Sequence, residues 1–202
     1  MTILLIAITV AVSYAAFNSP KLMDRLQFNA SKIYYKKEYH RLITHAFVHA
    51  NWEHLFVNMI VLFSFGRAIE EYFKLYFGQN HILYFFLLYF GGILISNVYA
   101  LVKHYKNYFY NAVGASGAVA SVLFATIFFE PWQEVLFFGI LPFPGIVFAG
   151  LYLGYSYYMS NKEKDNVAHD AHFLGAVFGF IFPVLLEPSL FGTFVDKLFR
   201  LV

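Results

Sequence analysis

The chain has 202 residues, of which 60% are hydrophobic and only 13% are charged. A soluble domain carries about 25% charged residues, so this composition excludes an ordinary water-soluble fold and favours a membrane protein. The absence of cysteine excludes disulfides, thiolate metal sites and a cysteine nucleophile.

Charged residues cluster between long uncharged runs, each near the ~20 apolar residues that a helix needs to cross a hydrocarbon core. Five such runs, and a sixth that is apolar after His54 and closes at Arg67, predict an all-α membrane protein with six transmembrane helices. We expect residues 1–202 to form a single polytopic membrane domain, because the longest polar stretch is too short for a separate soluble domain. The predicted spans are residues 1–20, 51–66, 75–102, 107–129, 135–161 and 171–186.

Lysine and arginine favour the cytoplasmic side of a membrane in short loops. The side shared by the two termini carries four of the 14 basic residues, and the opposite side carries the other ten. Taken alone, this distribution places the N-terminus outside the cytoplasm. The basic stretch from Lys21 to Arg41 is typical of a surface that faces lipid headgroups, and we expect no binding to nucleic acid.

Polar side chains within three of the spans indicate function, because such groups are costly in hydrocarbon. They are His54 with Asn58, Ser116, and His172. Even-numbered spans run in the same direction, and counting to the charge that closes each span places these groups roughly 20 to 22 Å above one membrane face. They would share one level, roughly 10 Å beneath the other face. A hydroxyl nucleophile, an imidazole base, and imidazole and amide donors are the groups that acyl transfer needs.

Two glycines bracket the serine of the fourth span. Gly114 and Gly117 around Ser116 predict a loop that dips into the membrane and a helix that begins near the serine. Backbone N–H groups at such a helix start point to where an oxyanion would form.

The last span carries a second glycine pattern. Gly175 and Gly179 have the small-xxx-small spacing that lets helix backbones approach closely, and Gly117 with Ser121 offers a matching face on the fourth span. Close packing of these two spans would bring His172 towards the serine.

Three motifs occur in order along the chain: THAFVHANWEHLFVN (residues 44–58), GASG (residues 114–117) and AHFLGAVFG (residues 171–179). Together they resemble the rhomboid family of intramembrane proteases, over the whole six-span core. The resemblance implies that Ser116 is the nucleophile and His172 its base, in a dyad without an acidic third member. It also implies that His54, Asn58 and the backbone N–H of Ser116 stabilise the oxyanion.

The resemblance implies further support for this site. Glu38 and Arg41 would brace a first loop that lies partly in the membrane, and His49 would tie that loop to the second span. Two positions depart from the family. His40 stands where a tryptophan usually precedes the loop arginine, and Ala120 stands where an aromatic residue often stacks on the catalytic histidine.

The family also implies the surroundings of the enzyme. Its substrates are single-pass transmembrane proteins in the lipid bilayer, cut near the membrane surface, and the reaction needs no cofactor. The family topology places the N-terminus in the cytoplasm, and we expect it here in a bacterial cytoplasmic membrane, against the distribution of basic residues.

Other functions fit the sequence less well. An inactive rhomboid-like binder of membrane proteins is expected to lack the serine or the histidine, and this chain keeps both. A small transporter would favour paired charges deep in several spans, and the uncharged runs contain none. A metal or haem site is disfavoured, because His49 and His54 are roughly 140° apart around a helix. The residues considered for that site are His45, His49, His54, His169, Asp170 and His172.

Overall fold

A computed structural model of the chain describes residues 1–137, 141–160, 162 and 168–199, and most of these residues are helical. The helices are α1 (Thr2–Phe17), α2 (Pro20–Leu26), α3 (Ala30–Lys36), α4 (Arg41–Thr44), α5 (Trp52–Phe77), α6 (His81–Ser96), α7 (Val98–His104), α8 (Ser116–Phe129), α9 (Gly145–Ser160), α10 (His169–Leu186) and α11 (Leu190–Phe199). The strands are β1 (Glu134–Phe137) and β2 (Leu141–Pro144), and the 3₁₀ turns are His45–Phe47 and Gly78–Asn80.

Six helices of 14 to 26 residues overlap the six predicted spans. They are α1, α5, α6, α8, α9 and α10. By length and composition, two of the described stretches are long and apolar enough to cross a membrane, Trp52–His104 and α10, and α1 and α8 are shorter apolar helices.

The helix of the second predicted span is longer than expected. It was predicted to close at Arg67, but α5 continues to Phe77 and ends at Gly78, which has a φ of 55°. Arg67 is exposed, whereas Ile69 and Phe73 on the other side of the helix are buried. The added turns are therefore amphipathic, and a charge on the outer face of a helix does not end it.

The helix of the fifth predicted span begins later than expected, and the expectation of a helix from residue 135 is wrong. Strands β1 and β2 pair antiparallel within the apolar run that was assigned to a helix, and α9 begins only at Gly145. Pro142 and Pro144 lie in β2. A proline has no N–H to donate and its ring clashes with a preceding helical turn, so two prolines within three residues disfavour a helix here.

Helix α8 lies at the centre of the bundle. Each of its residues from Gly117 to Phe129 is buried, and it packs against α5, α6 and α10. Its contact with α10 depends on glycine. A Cβ on Gly175 would lie 2.2 Å from the carbonyl oxygen of Gly117, and a Cβ on Gly179 would lie 2.0 Å from that of Ser121. The expected small-residue seam between these helices is confirmed.

Ser121 adds a hydrogen bond across this seam. Its hydroxyl lies 2.8 Å from the carbonyl oxygen of Gly175 and 3.0 Å from that of Gly117. A hydroxyl has one proton to donate, so the two oxygens share it. The seam therefore combines backbone contact with a buried polar link.

We predict that Gly175→Ala and Gly179→Ala each destabilise the protein, because the added methyl group meets backbone atoms that cannot turn away. Overpacking of this kind costs about 1–3 kcal/mol. Gly150→Ala and Gly154→Ala on α9 are matched controls, since a Cβ there meets nothing within 4 Å. Thermal unfolding in detergent measures the difference, and equal melting temperatures for the two pairs would contradict the prediction.

Candidate active site

The polar residues selected from the sequence lie at the starts of three helices. His54 is the third residue of α5, Ser116 the first residue of α8, and His172 the fourth residue of α10. The expectation that a helix begins at the serine is confirmed. Ala115 precedes it and provides no side-chain cap, so the first N–H groups of α8 have no capping side chain.

The loop before Ser116 is non-helical and lies against α5. Gly114 has a φ of 113°, and a Cβ there would lie 2.5 Å from Cε1 of His54. Its N–H donates to the carbonyl oxygen of His45, 2.9 Å away. Both the backbone angle and the close approach of the His54 ring require glycine here.

His49 connects this loop to α1. Its Nε2 lies 3.5 Å from the N–H of Ala115, and its Nδ1 lies 2.9 Å from Oγ of Ser13. Ser13 Oγ in turn donates to the carbonyl oxygen of Phe47, 3.0 Å away. These partners select one tautomer, in which Nε2 accepts from Ala115 and Nδ1–H donates to Ser13. His49 thus links three segments of the chain.

His45 makes a parallel connection to α6 and α7. Its Nδ1 lies 2.8 Å from the carbonyl oxygen of Arg41 and therefore donates, while Nε2 accepts from Nδ2 of Asn97 at 3.0 Å. Both histidines lie in the connection between α1 and α5. Burial, together with the nearby His54, lowers the pKa of His49 to about 3, and burial lowers the pKa of His45 to about 4.

The starts of α8 and α10 are in contact. A Cβ on Gly117 would lie 3.4 Å from the carbonyl oxygen of Ala171. The residue after Ser116 therefore faces the residue before His172. The imidazole of His172 lies 6.3 Å from the ring of Tyr152 and 6.0 Å from that of His169, between ring centroids.

Asn58 lies one turn below His54 in α5. It is buried, and its Nδ2 donates to the carbonyl oxygen of His54 at 2.9 Å. An amide nitrogen carries two protons, so this bond uses one of the two.

The histidines weighed as metal ligands fall into separate groups. His49 and His54 are neighbours, with ring centroids 5.0 Å apart, and His169 and His172 form a second pair. His45 is engaged with Arg41 and Asn97. Within the described residues, no group of three or more His, Asp or Glu side chains is arranged to hold a metal ion.

The first loop is tied together at the end of α2. Four consecutive carbonyl oxygens, of residues 24–27, accept hydrogen bonds from the side chains of His40, Arg41 and Thr44. Arg41 is buried, and its Nε donates to Glu38 at 2.6 Å, which lowers the pKa of that carboxyl. The last carbonyl oxygens of a helix have no hydrogen-bond donors within the helix. Side chains of this loop provide those donors.

His40, which departs from the family pattern, takes part in this network. Its Nε2 donates to the carbonyl oxygen of Arg25, 3.1 Å away. The imidazole therefore contributes a polar anchor at a position where the family uses an indole.

A small cavity of about 20 Å³, measured as the space open to the centre of a water molecule, lies beside the loop that precedes Ser116. Residues 112–118 line it, together with residues that include His45, Ser96 and Asn97. This volume is enough for about one water molecule.

Two residues of these networks were missed in the sequence. Ser13 lies in α1 and Asn97 follows α6, each within a run that was read only as apolar. Ser13 is fully buried with Thr2 and Thr9, on the face of α1 that carries Leu5 and Ala16. Ser13 lies at the helical spacing of the buried residues of α1, and this spacing is the sequence signal that could have identified it.

Comparison with known proteins decides the family. The family profile described as "Rhomboid domain" matches residues 36–189, which is more than half of the chain. The chain belongs to the rhomboid family. One curated relative, "RHOMBOID-like protein 12, mitochondrial" from Arabidopsis thaliana, is 26% identical over 182 residues, which cover 83% of this chain and 52% of the relative. The chain therefore spans about half the length of that rhomboid.

Membership fixes the class of the protein. A rhomboid is an integral membrane protein built as a helical bundle, and the mostly helical structure agrees with this. The family comprises intramembrane serine proteases and inactive rhomboid-like proteins.

We predict that the stability of this rhomboid falls as the pH is lowered from 7 to 5. The unfolded chain takes up protons on His45 and His49 below about pH 6.5, whereas the folded protein keeps both neutral down to about pH 4 and about pH 3. Stability is therefore full above the unfolded pKa and is lost as the pH falls, by about 2 kcal/mol for each histidine at pH 5.

Thermal unfolding in detergent between pH 7.5 and 5 measures this loss. His45→Gln, which keeps a donor and an acceptor, should flatten the profile, whereas His81→Gln at the start of α6 should not. A melting temperature that is independent of pH would contradict the assignment of two neutral buried histidines.

Proposed function

We propose that this rhomboid is an intramembrane serine endopeptidase that cleaves transmembrane proteins at or near the membrane surface. The observation that carries the proposal is the contact between the starts of α8 and α10, where Gly117 lies against Ala171. This contact supports a dyad of Ser116 and His172. A catalytically inactive binder is the alternative, and a small transporter is a weaker one.

In the proposed reaction, neutral His172 accepts the proton of Ser116 as the hydroxyl oxygen attacks the carbonyl carbon of the scissile peptide bond. His172 then returns the proton to the leaving amine, which releases one product. A water molecule, deprotonated by His172, hydrolyses the acyl-enzyme and restores the serine. The small cavity beside residues 112–118, with room for about one water molecule, supports the supply of water to this step.

The negative charge on the tetrahedral intermediate needs donors. We assign this role to the N–H of Ser116, the ring of His54 and the amide of Asn58. The contact of the His54 ring with Gly114, two residues before the nucleophile, supports the assignment. In Asn58 the amide proton not used by the His54 carbonyl is available to the oxyanion.

The remaining residues of the site are proposed as support. Glu38 and Arg41 hold the first loop, and His49 holds the loop before Ser116. The glycines of the α8–α10 seam allow the dyad to form. These glycines are Gly117, Gly175 and Gly179. Gly114 leaves the space that the His54 ring occupies.

We predict that Ser116→Ala and His172→Ala each abolish cleavage of a model transmembrane substrate by the detergent-solubilised protein. Removal of either member leaves no activated nucleophile. Ser64→Ala on the exposed face of α5 and His81→Ala at the start of α6 are controls for the loss of a serine and of a histidine. Full activity in either dyad variant would refute the assignment, provided that the purified wild-type protein cleaves the substrate.

A second prediction concerns the oxyanion donors. Replacement of His54 or Asn58 by Ala should lower kcat by ~10- to 1000-fold with a smaller effect on KM, because the donors act only as charge develops. Steady-state kinetics with a fluorogenic transmembrane peptide in detergent measure both constants. A change confined to KM would assign these residues to substrate binding instead.

We further propose six transmembrane helices, with the N-terminus on the cytoplasmic side of a bacterial membrane. The family topology supports this orientation, and the distribution of basic residues opposes it. The loop between α5 and α6 would then face the cytoplasm, and the loop before α8 would face outside.

Single cysteines test this orientation without background labelling, because the chain has no native cysteine. An impermeant thiol reagent applied to intact cells should modify Phe109→Cys, at a position 93% exposed, and spare Gln79→Cys until the membrane is broken. The reverse pattern would show that the basic residues mark the cytoplasmic side, and that the site opens to the cytoplasm.

A further inference from the structure

The imidazole of His172 lies beside an aromatic ring from another helix. Tyr152 of α9 is stacked on it, with ring centroids 6.3 Å apart and planes inclined by 24°. The ring of His169, one turn earlier in α10, meets the same imidazole at 76°. Aromatic rings at these separations attract one another in stacked and in edge-on geometries, so the two neighbours restrain the plane of the imidazole.

Tyr152 is itself held in place by rings from two helices. Its ring centroid lies 5.4 Å from that of Phe124 in α8 and 5.7 Å from that of Phe148 in α9. Phe124 is fully buried. The tyrosine therefore has a fixed position relative to α8, the helix that begins with Ser116.

Helix α8 carries a small side chain in the same part of the core. Ala120 belongs to the same apolar cluster as Phe124, and Tyr152 packs against that cluster.

We propose that Tyr152 is a positioning residue, which holds the imidazole of His172 in the orientation needed to accept the Ser116 proton. The proposal rests on the proposed function and deepens it. The His172 side chain can rotate about its χ1 and χ2 torsions. Stacking of the Tyr152 ring on one face of the imidazole restricts that rotation. A base that is held in place transfers a proton more often than one that turns between rotamers.

The role depends on the ring and not on the phenol oxygen. Tyr152→Phe keeps the stacked surface, so its kcat should stay within about threefold of the wild type. Tyr152→Ala removes the ring, and kcat should fall by ~10- to 100-fold with little change in KM. Tyr158→Ala, on the exposed face of the same helix, is the matched control and should keep the wild-type kcat.

A second measurement is independent of cleavage. The ring protons of His172, assigned with His172→Gln, should show in NMR spectra a ring-current shift that Tyr152→Ala removes and Tyr152→Phe retains. Thermal unfolding of each variant shows whether a loss of kcat accompanies a loss of fold.

The outcomes separate this proposal from the proposed function. A loss of kcat and of the His172 shift in a folded Tyr152→Ala protein supports the positioning role. An unchanged kcat, an unchanged His172 resonance, or an equal loss in Tyr152→Phe overturns it. If the wild-type protein cleaves no substrate, the proposed function fails, and the positioning role fails with it even where the NMR shift confirms the stacked rings.

Discussion

The contact between α8 and α10 is the constraint on which the rest of the bundle depends. Gly175 and Gly179 meet the backbone of α8 so closely that any side chain would clash, and Ser121 bonds across the same seam. Helices in a membrane gain little from hydrophobic burial, because lipid is equally apolar. Backbone contact and buried hydrogen bonds must therefore supply the cohesion. The same seam sets the separation of the helix starts that carry the serine and the histidine.

Near the starts of these helices, two neutral histidines connect the non-helical loops to the rest of the protein. His49 joins the loop before Ser116 to α1, and His45 joins the first loop to Asn97. A buried polar group without a partner is costly, so each imidazole uses both of its nitrogens. Arg41 does the same for the end of α2, where its charge is balanced by Glu38. The non-helical parts of the fold are thus stabilised by polar side chains.

Much of this arrangement could be predicted from the sequence, because glycine spacing and polar residues in apolar runs report on packing directly. The seam and the helix start at Ser116 are examples. Composition could not show where an apolar run changes from helix to strand, so the β1–β2 strand pair and the full length of α5 were missed. Nor could it show contacts between residues distant in sequence. The bond of Ser13 to His49 and the stacking of Tyr152 on His172 depend on tertiary structure.

Helix α8 has 14 residues and is therefore about 21 Å long, well short of a hydrocarbon core ~30 Å thick. Because its neighbours enclose it on every turn after Ser116, it does not need to match the lipid. Transmembrane helices in contact with lipid can adjust to the thickness of a bilayer by tilting. The depth of the serine within the protein is then set by the packing of the bundle and not by the thickness of the lipid.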